Sequence, residues 1–329
     1  MKRRQVLRSL VTAPLAMALP FAPTRALAQT FPDHPLRIVV PFAPGNTLDT
    51  ALRQVAEVFK TNTGQPLLID NKPGGSGIIA AQALMTAPPD GYTLLLANTS
   101  MLTINPHTFT KLPYDPDKSF KPVTNFLGSA MVMAVNASVP ASNVKEFVAW
   151  TKSRPGKVSF ASFTAGNSSH FAGVILNQRA GIDMVHVPFN GTPPAVTNLV
   201  GGQVDAAFLP LLAVKPHLDT GKVKVLAVTS PKRSALMPDV ATFREQGYPD
   251  LEIYIWAAIV TRAGTPDPLI AKLNAELVKA ISSAEIREKW RVMDFEPLPS
   301  MPDELTKFSQ ADSRRWAEAV KISGFKATE

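Results

Sequence analysis

The sequence predicts an α/β fold made of two strand–helix sets and closed by a helical C-terminal third. Three observations carry that class. Short apolar runs alternate with helix-period stretches from Leu36 to Ala97. A second series of short apolar runs extends from Met131 to Thr229. Beyond Thr265 the apolar residues fall at helical spacing. At 329 residues the chain has room for two domains of ordinary size.

Residues 1–28 read as separate from the fold. Lys2, Arg3, Arg4 and Arg8 precede an apolar stretch from Leu10 to Ala22, and Ala26-Leu27-Ala28 follows. A positive region, a hydrophobic region and an A-x-A site predict a signal peptide cleaved after Ala28, and hence an exported protein. The stretch is shorter than the ~20 residues a membrane span needs, and Pro14 and Pro20 interrupt it. Arg3-Arg4-Gln5-Val6-Leu7-Arg8 has the character of a twin-arginine signal, which exports folded proteins.

In the first set, Leu36 to Val40 reads as a strand, and Leu48, Leu52, Val55 and Phe59 follow at helical spacing. Pro66 to Asp70 is the next strand and Ile78 to Met85 the next helix. Pro88-Pro89-Asp90-Gly91 turns the chain into a third strand, Tyr92 to Ala97. This order predicts a right-handed parallel unit. In the second set, strands are expected at Met131–Asn136, Val158–Ser162, Met184–Pro188, Val204–Leu209 and Val223–Thr229. Helices are expected over 170–179 and from Pro194 to Val200. In the last third, Thr265-Pro266 reads as a cap followed by proline at the first helical position, ahead of the stripe Leu269, Leu273, Leu277 and Ile281. Leu305, Phe308 and Trp316 predict a terminal helix, with Gly324 as its stop.

Composition excludes several function classes. The chain has no cysteine, which removes disulfides, thiol nucleophiles and thiolate metal sites. Removing residues 1–28 takes away five Lys/Arg and no Asp/Glu, so the net charge falls from +8 to +3. No basic run remains, which argues against a nucleic-acid partner. The 30 prolines are spread along the chain, so they read as turns and strand ends rather than low complexity.

Three strand-to-helix junctions share one chemistry. They are Pro41-Phe42-Ala43-Pro44-Gly45-Asn46-Thr47, Pro73-Gly74-Gly75-Ser76-Gly77, and Ser162-Phe163-Thr164-Ala165-Gly166-Asn167-Ser168-Ser169. Each offers backbone N–H groups and small hydroxyls at the positive end of a helix, which suits a carboxylate or phosphate. The same residue types also serve simply as caps. Gly75-Ser76-Gly77-Ile78-Ile79-Ala80 matches a dinucleotide fingerprint, and with the twin-arginine character it keeps an exported nucleotide-dependent oxidoreductase or a hydrolase open. Against that, the next strand ends Leu96-Ala97-Asn98-Thr99-Ser100, with no acid for a ribose. Gly74 and Ser76 approach a nucleophile elbow, but Ile78 replaces its last glycine. The five histidines show no metal spacing; His170 reads as a helix-start residue. Asp49 and Arg53 read as an ion pair one turn apart. No catalytic residue, metal or cofactor is assigned.

Ordered motifs then resemble a known family over nearly the whole chain after Pro32. They include Pro41-Phe42-Ala43-Pro44-Gly45 with Asp49 and Arg53, Asn71-Lys72-Pro73-Gly74-Gly75-Ser76-Gly77, and Pro89-Asp90-Gly91-Tyr92. Further on come Ser168 with His170, Val187-Pro188-Phe189-Asn190-Gly191, Gly201-Gly202-Gln203-Val204-Asp205, Arg233-Ser234 and Trp256. The chain resembles the Bug-type solute receptors of tripartite tricarboxylate transporters. The resemblance implies a two-lobed periplasmic binding fold (type II, Venus flytrap) with the ligand cleft between the lobes. Lobe one would be 29–127 plus 252–329, and lobe two 128–251. The function implied is capture of a small mono- or dicarboxylate by cleft closure, for uptake through integral-membrane transporter subunits; a ligand-presenting sensor subunit is the alternative. A monomer without enzymatic activity is expected.

The contacts implied are Ala43, Pro44, Gly45, Asn46 and Thr47; Gly74, Gly75, Ser76 and Gly77; and Asn98, Thr99 and Ser100. Lobe two would add Thr164, Ala165, Asn167 and Ser168, with Phe189, Asn190 and Gly191. Asp49, Arg53, His170 and Asp205 would support them. Asn46 stands where the family has a second glycine, and Asn190 where it has lysine, so no particular ligand follows.

Overall fold

In a computed structural model the described residues are 31–327, so the expected signal peptide and its cleavage site lie outside them. The first set runs β1 (Leu36–Val40), α1 (Thr47–Thr63), β2 (Leu67–Asn71), α2 (Ile78–Met85) and β3 (Thr93–Asn98). A π-type turn at Ser100–Ile104 leads through the short helices α3 (Asn105–Thr108) and α4 (Pro116–Ser119) into β4 (Phe120–Asn136). The second set runs α5 (Val144–Lys152), β5 (Val158–Ser162), α6 (Ser168–Ala180), β6 (Met184–Pro188), α7 (Thr192–Val200), β7 (Ala206–Pro210), α8 (Leu211–Leu218) and β8 (Val223–Val228). The return comprises β9 (Tyr254–Arg262), α9 (Asp267–Ile281), α10 (Ala284–Arg291), β10 (Glu296–Pro297) and α11 (Pro302–Ser323).

β4 organises the molecule. Its first part pairs antiparallel with β9, which pairs antiparallel with β3; β1 and β2 continue outward in parallel. Its last part, Met131 to Asn136, lies antiparallel between β7 and β8, and β5 and β6 extend that sheet in parallel. One 17-residue strand therefore belongs to both half-sheets. Met131–Asn136 alone is legible as strand because Pro122, the polar pair Thr124-Asn125 and Gly128 interrupt the earlier pattern. The register shifts between Pro122 and Thr124, and again between Asn125 and Leu127.

Each half buries apolar residues on both faces of its sheet. Leu52, Val55 and Phe59 of α1 pack with Leu36, Ile38, Leu273, Leu277 and Trp290. On the opposite face, Ala80 and Leu84 of α2 join Val39, Leu95 and Trp256. The second half has one core around Phe160, Phe171 and Phe208, and another around Leu199, Leu209 and Val228. α11 begins in the first half, at Leu305, but Trp316, Ala319 and Val320 lie in the core of the second. The terminal helix thus spans both halves.

Thr229 fastens the place where the chain passes between halves. Its Oγ accepts from Met131 N–H at 2.8 Å and donates to Ile253 C=O at 2.7 Å. One expected cap is corrected. Pro266, extended, precedes α9, and the Thr265 hydroxyl instead donates to Arg262 C=O at 2.8 Å. Gly324 ends α11 in the left-handed conformation, at the position read from the sequence. No helix among the described residues is long and apolar enough to cross a membrane.

Candidate functional site between the two strand sets

Register places the candidate loops. The C-terminal ends of β1, β2 and β3 share one edge, so 43–47, 73–77 and 98–100 lie along it. In the second half the ends of β5, β6 and β7 share an edge, which carries 164–168 and 189–191. Asn98 is level with Ala257, and Ala257 with Leu127 of β4. Pro210, at the end of β7, is level with Met131. The two edges therefore meet β4 four residues apart, about 13 Å along the strand. Ligands of open α/β sheets bind at such edges.

A buried carboxylate holds the first-half loops. Asp49 accepts from Gly45 N–H at 2.9 Å, from Arg53 at 2.9 and 3.1 Å, and from Asn71 Nδ2 at 2.8 Å. Asn71 also donates to Phe42 C=O at 3.0 Å, and Arg53 donates to Asn71 Oδ1 at 3.1 Å. Burial pushes the Asp49 carboxyl up, but the bonds from Arg53, Asn71 and Gly45 outweigh it and the pKa is lowered. The same pairing raises Arg53. Asp49 and Arg53 thus position both loops, and Asn71 is the partner that spacing alone does not reveal.

The loop at 73–77 takes its shape from its backbone. Gly75, Ser76 and Gly77 all have positive φ, of 56°, 53° and 89°. At Gly77 a Cβ would come within 2.5 Å of Met101. Gly74, Gly75 and Ser76 are exposed, and Ser76 C=O accepts from Asn105 Nδ2 at 3.0 Å. A non-glycine residue held at positive φ marks a locally determined backbone.

Internal bonds occupy several expected contacts. Asn46 caps α1, its Oδ1 accepting from Leu48 N–H at 2.9 Å, which leaves its amide NH₂. Asn98 Oδ1 accepts from Met101 N–H at 2.9 Å. Thr99 is buried, and its Oγ donates to Trp256 C=O at 2.9 Å and accepts from Trp256 N–H at 2.8 Å. Asn167 Oδ1 accepts from the N–H of Ser169 and His170 and from Ser169 Oγ. Phe189 and Gly191 donate their N–H groups to Ser162 and Phe163 C=O. Thr164 Oγ donates to Phe163 C=O. The groups left over include Asn46 Nδ2, Thr47, Ser76 and Asn190, all exposed, together with Asn98 Nδ2, Asn167 Nδ2, Ser100, the Ala165 backbone and the Ser168 hydroxyl. All are neutral. Ala43 and Pro44 are exposed apolar neighbours.

Behind the 164–168 loop lies a histidine pair that the sequence did not suggest. His170 and His186 stack with centroids 3.8 Å apart and planes 12° apart. His170 Nδ1 accepts from Gly166 N–H at 3.2 Å, and His186 Nε2 lies 2.7 Å from Ser162 Oγ. Burial, and then the cost of placing a second imidazolium against His186, depresses His170 to about 3, and burial depresses His186 to about 4. Both rings are neutral near pH 7, and His170 works as an acceptor that shapes the loop.

Asp205 lies elsewhere. It accepts from Ser159 N–H at 2.8 Å at the start of β5, the edge opposite the loops. A cavity of about 700 Å³ also avoids the loops, lying between residues 102–122 and α11.

Residues 51–325 match the family model described as the tripartite tricarboxylate transporter family receptor. The structure of the periplasmic binding protein BugD is 31% identical, with TM-score 0.76 over 91% of this chain and 100% of that one. Rpa4515 of R. palustris, solved with adipate, is 28% identical, with TM-score 0.80 over 90% and 99%. MatC from Rhodopseudomonas palustris, with bound malate, is 32% identical, with TM-score 0.74 over 88% and 100%. The fold is thus the two-lobed α/β fold of periplasmic binding proteins, and the relatives are solute-binding receptors rather than enzymes. This chain belongs to the receptor family of the tripartite tricarboxylate transporters.

Proposed function

We propose that this receptor captures a small mono- or dicarboxylate between its halves and closes on it, for delivery to membrane subunits of a tripartite tricarboxylate transporter. One observation carries the reading: both strand sets turn neutral hydrogen-bonding loops toward one stretch of β4, without a catalytic constellation among them. Neutral amides and hydroxyls bind a carboxylate without the desolvation cost of a buried cation. Adipate in Rpa4515 and malate in MatC support the ligand class. Loops 43–47 and 73–77, with Ser100, grip from residues 29–127 plus 252–329; Ala165, Ser168 and Asn190 act from 128–251. Thr99, Asn167, Phe189 and Gly191 act by shaping backbone. Export with cleavage after Ala28 would place the mature chain in the periplasm.

A thermal-shift screen of mature protein against mono- and dicarboxylates, amino acids, aromatic acids and dinucleotides tests this. A ligand at ~100 times its Kd adds about 2.7 kcal/mol. A rise confined to one group of carboxylates is expected. A rise with dinucleotides alone would overturn the proposal.

A further inference from the structure

The halves also touch through side chains outside the shared strands. Ser234 Oγ donates to Asp294 Oδ1 at 2.8 Å. Ser234 follows β8, and its neighbours Leu236 and Met237 pack against the core of the second half. Asp294 lies between α10 and β10, where Met293 and Phe295 pack against the core of the first. β10 pairs Glu296 with Gly128 and Pro297 with Leu127. Asp294 therefore precedes by two residues Glu296, which pairs with the stretch of β4 where the loop-bearing edges meet.

We propose that Asp294 and Ser234 form a latch across this gap, favouring the approached arrangement of the halves and so tightening ligand capture. Asp294 is held at φ 51°, a left-handed conformation that Asp tolerates better than most residues. Ser234 is 8% exposed and also accepts from Leu236 N–H at 3.1 Å, so the hydroxyl is fixed toward its partner. Burial pushes the Asp294 carboxyl up, while Ser234 and Lys215 of α8 draw it back. Both counteracting groups come from the second half. A bond between two hinged bodies forms only where they have approached, so it shifts the open–closed balance.

The affinity arm of the test rests on the function proposed above, and the distance arm does not. Because the chain lacks cysteine, Thr61→Cys in α1 and Lys152→Cys in α5, both exposed, give a clean spin-label pair across the halves. Asp294→Gly removes the carboxylate and suits the positive φ, so folding is preserved. Ser234→Ala is the second variant. Without ligand, both variants should shift the distance distribution in the same direction, and the double variant no further than either single. The Kd for a bound carboxylate should rise about five-fold. Superimposable distributions for both variants would overturn the latch. Shifted distances in a protein that binds no carboxylate would uphold it and sink the proposed function instead.

Discussion

Replacing Asp49 by asparagine withdraws a charge that four N–H donors share, from Gly45, Asn71 and twice from Arg53. Asparagine fills the same space but keeps one accepting oxygen and turns an NH₂ toward groups that are themselves donors. Arg53 is 51% exposed, so screening by water limits its share to under about 1 kcal/mol. The Gly45 and Asn71 bonds end on a carboxylate 1% exposed at its side chain, where losing each costs about 1–1.5 kcal/mol. Asp49→Asn should therefore destabilise by about 3 kcal/mol. A lowered urea midpoint would report it, with faster amide exchange at Gly45. Ligand affinity should fall as well, because the 43–47 loop and Asn71, at the root of the 73–77 loop, lose their common anchor. A loss below ~1 kcal/mol with unchanged exchange at Gly45 would refute the reasoning, since it would make the network incidental.

Three further outcomes are expected. The unfolded chain binds protons on His170 and His186 below about pH 6.5, whereas the folded pair stays neutral down to about 3 and 4. Stability should therefore fall with pH across that window, approaching 1.4 kcal/mol per pH unit for each ring, and His170→Gln should flatten the urea-midpoint profile. Gly77→Ala should cost over about 2 kcal/mol, because its Cβ meets Met101 as well as a positive φ; Gly45→Ala, with open space around it, should cost about 1 kcal/mol in thermal melts. Thr99→Val should lower stability by about 2 kcal/mol through the lost Trp256 bonds, yet leave the ligand ranking in the thermal-shift screen unchanged.

Elements whose signal is local were legible in the sequence. β1, α2, β5 and β6 occupy the residues that apolar runs and bordering turns mark, because one periodicity governs each. β4 was legible only over its last residues, since a strand with bulges and a proline owes its pairing to β9, far along the chain. α5, α8 and α10 did not stand out; α8 carries Pro216 inside it, which reads as a break. In the site, the Asp49–Arg53 pair is one helical turn apart and so visible, whereas Asn71 joins it from another element. Which hydroxyls remain for a ligand was not legible at all. Thr99 and Ser100 look alike as text, but a partner 157 residues away claims the hydroxyl of Thr99.

The Thr229 knot has a practical consequence for engineering. The segment from Met131 to Ile253 leaves and rejoins the rest of the molecule at points bonded through one threonine side chain. Such an insert has neighbouring ends, so it can be transplanted between relatives at two junctions without altering the span the host must bridge. A chimera cut there would exchange the second strand set and its loops while α11, whose Trp316, Ala319 and Val320 pack into that core, stays with the host, so what the exchanged loops contribute could be scored separately.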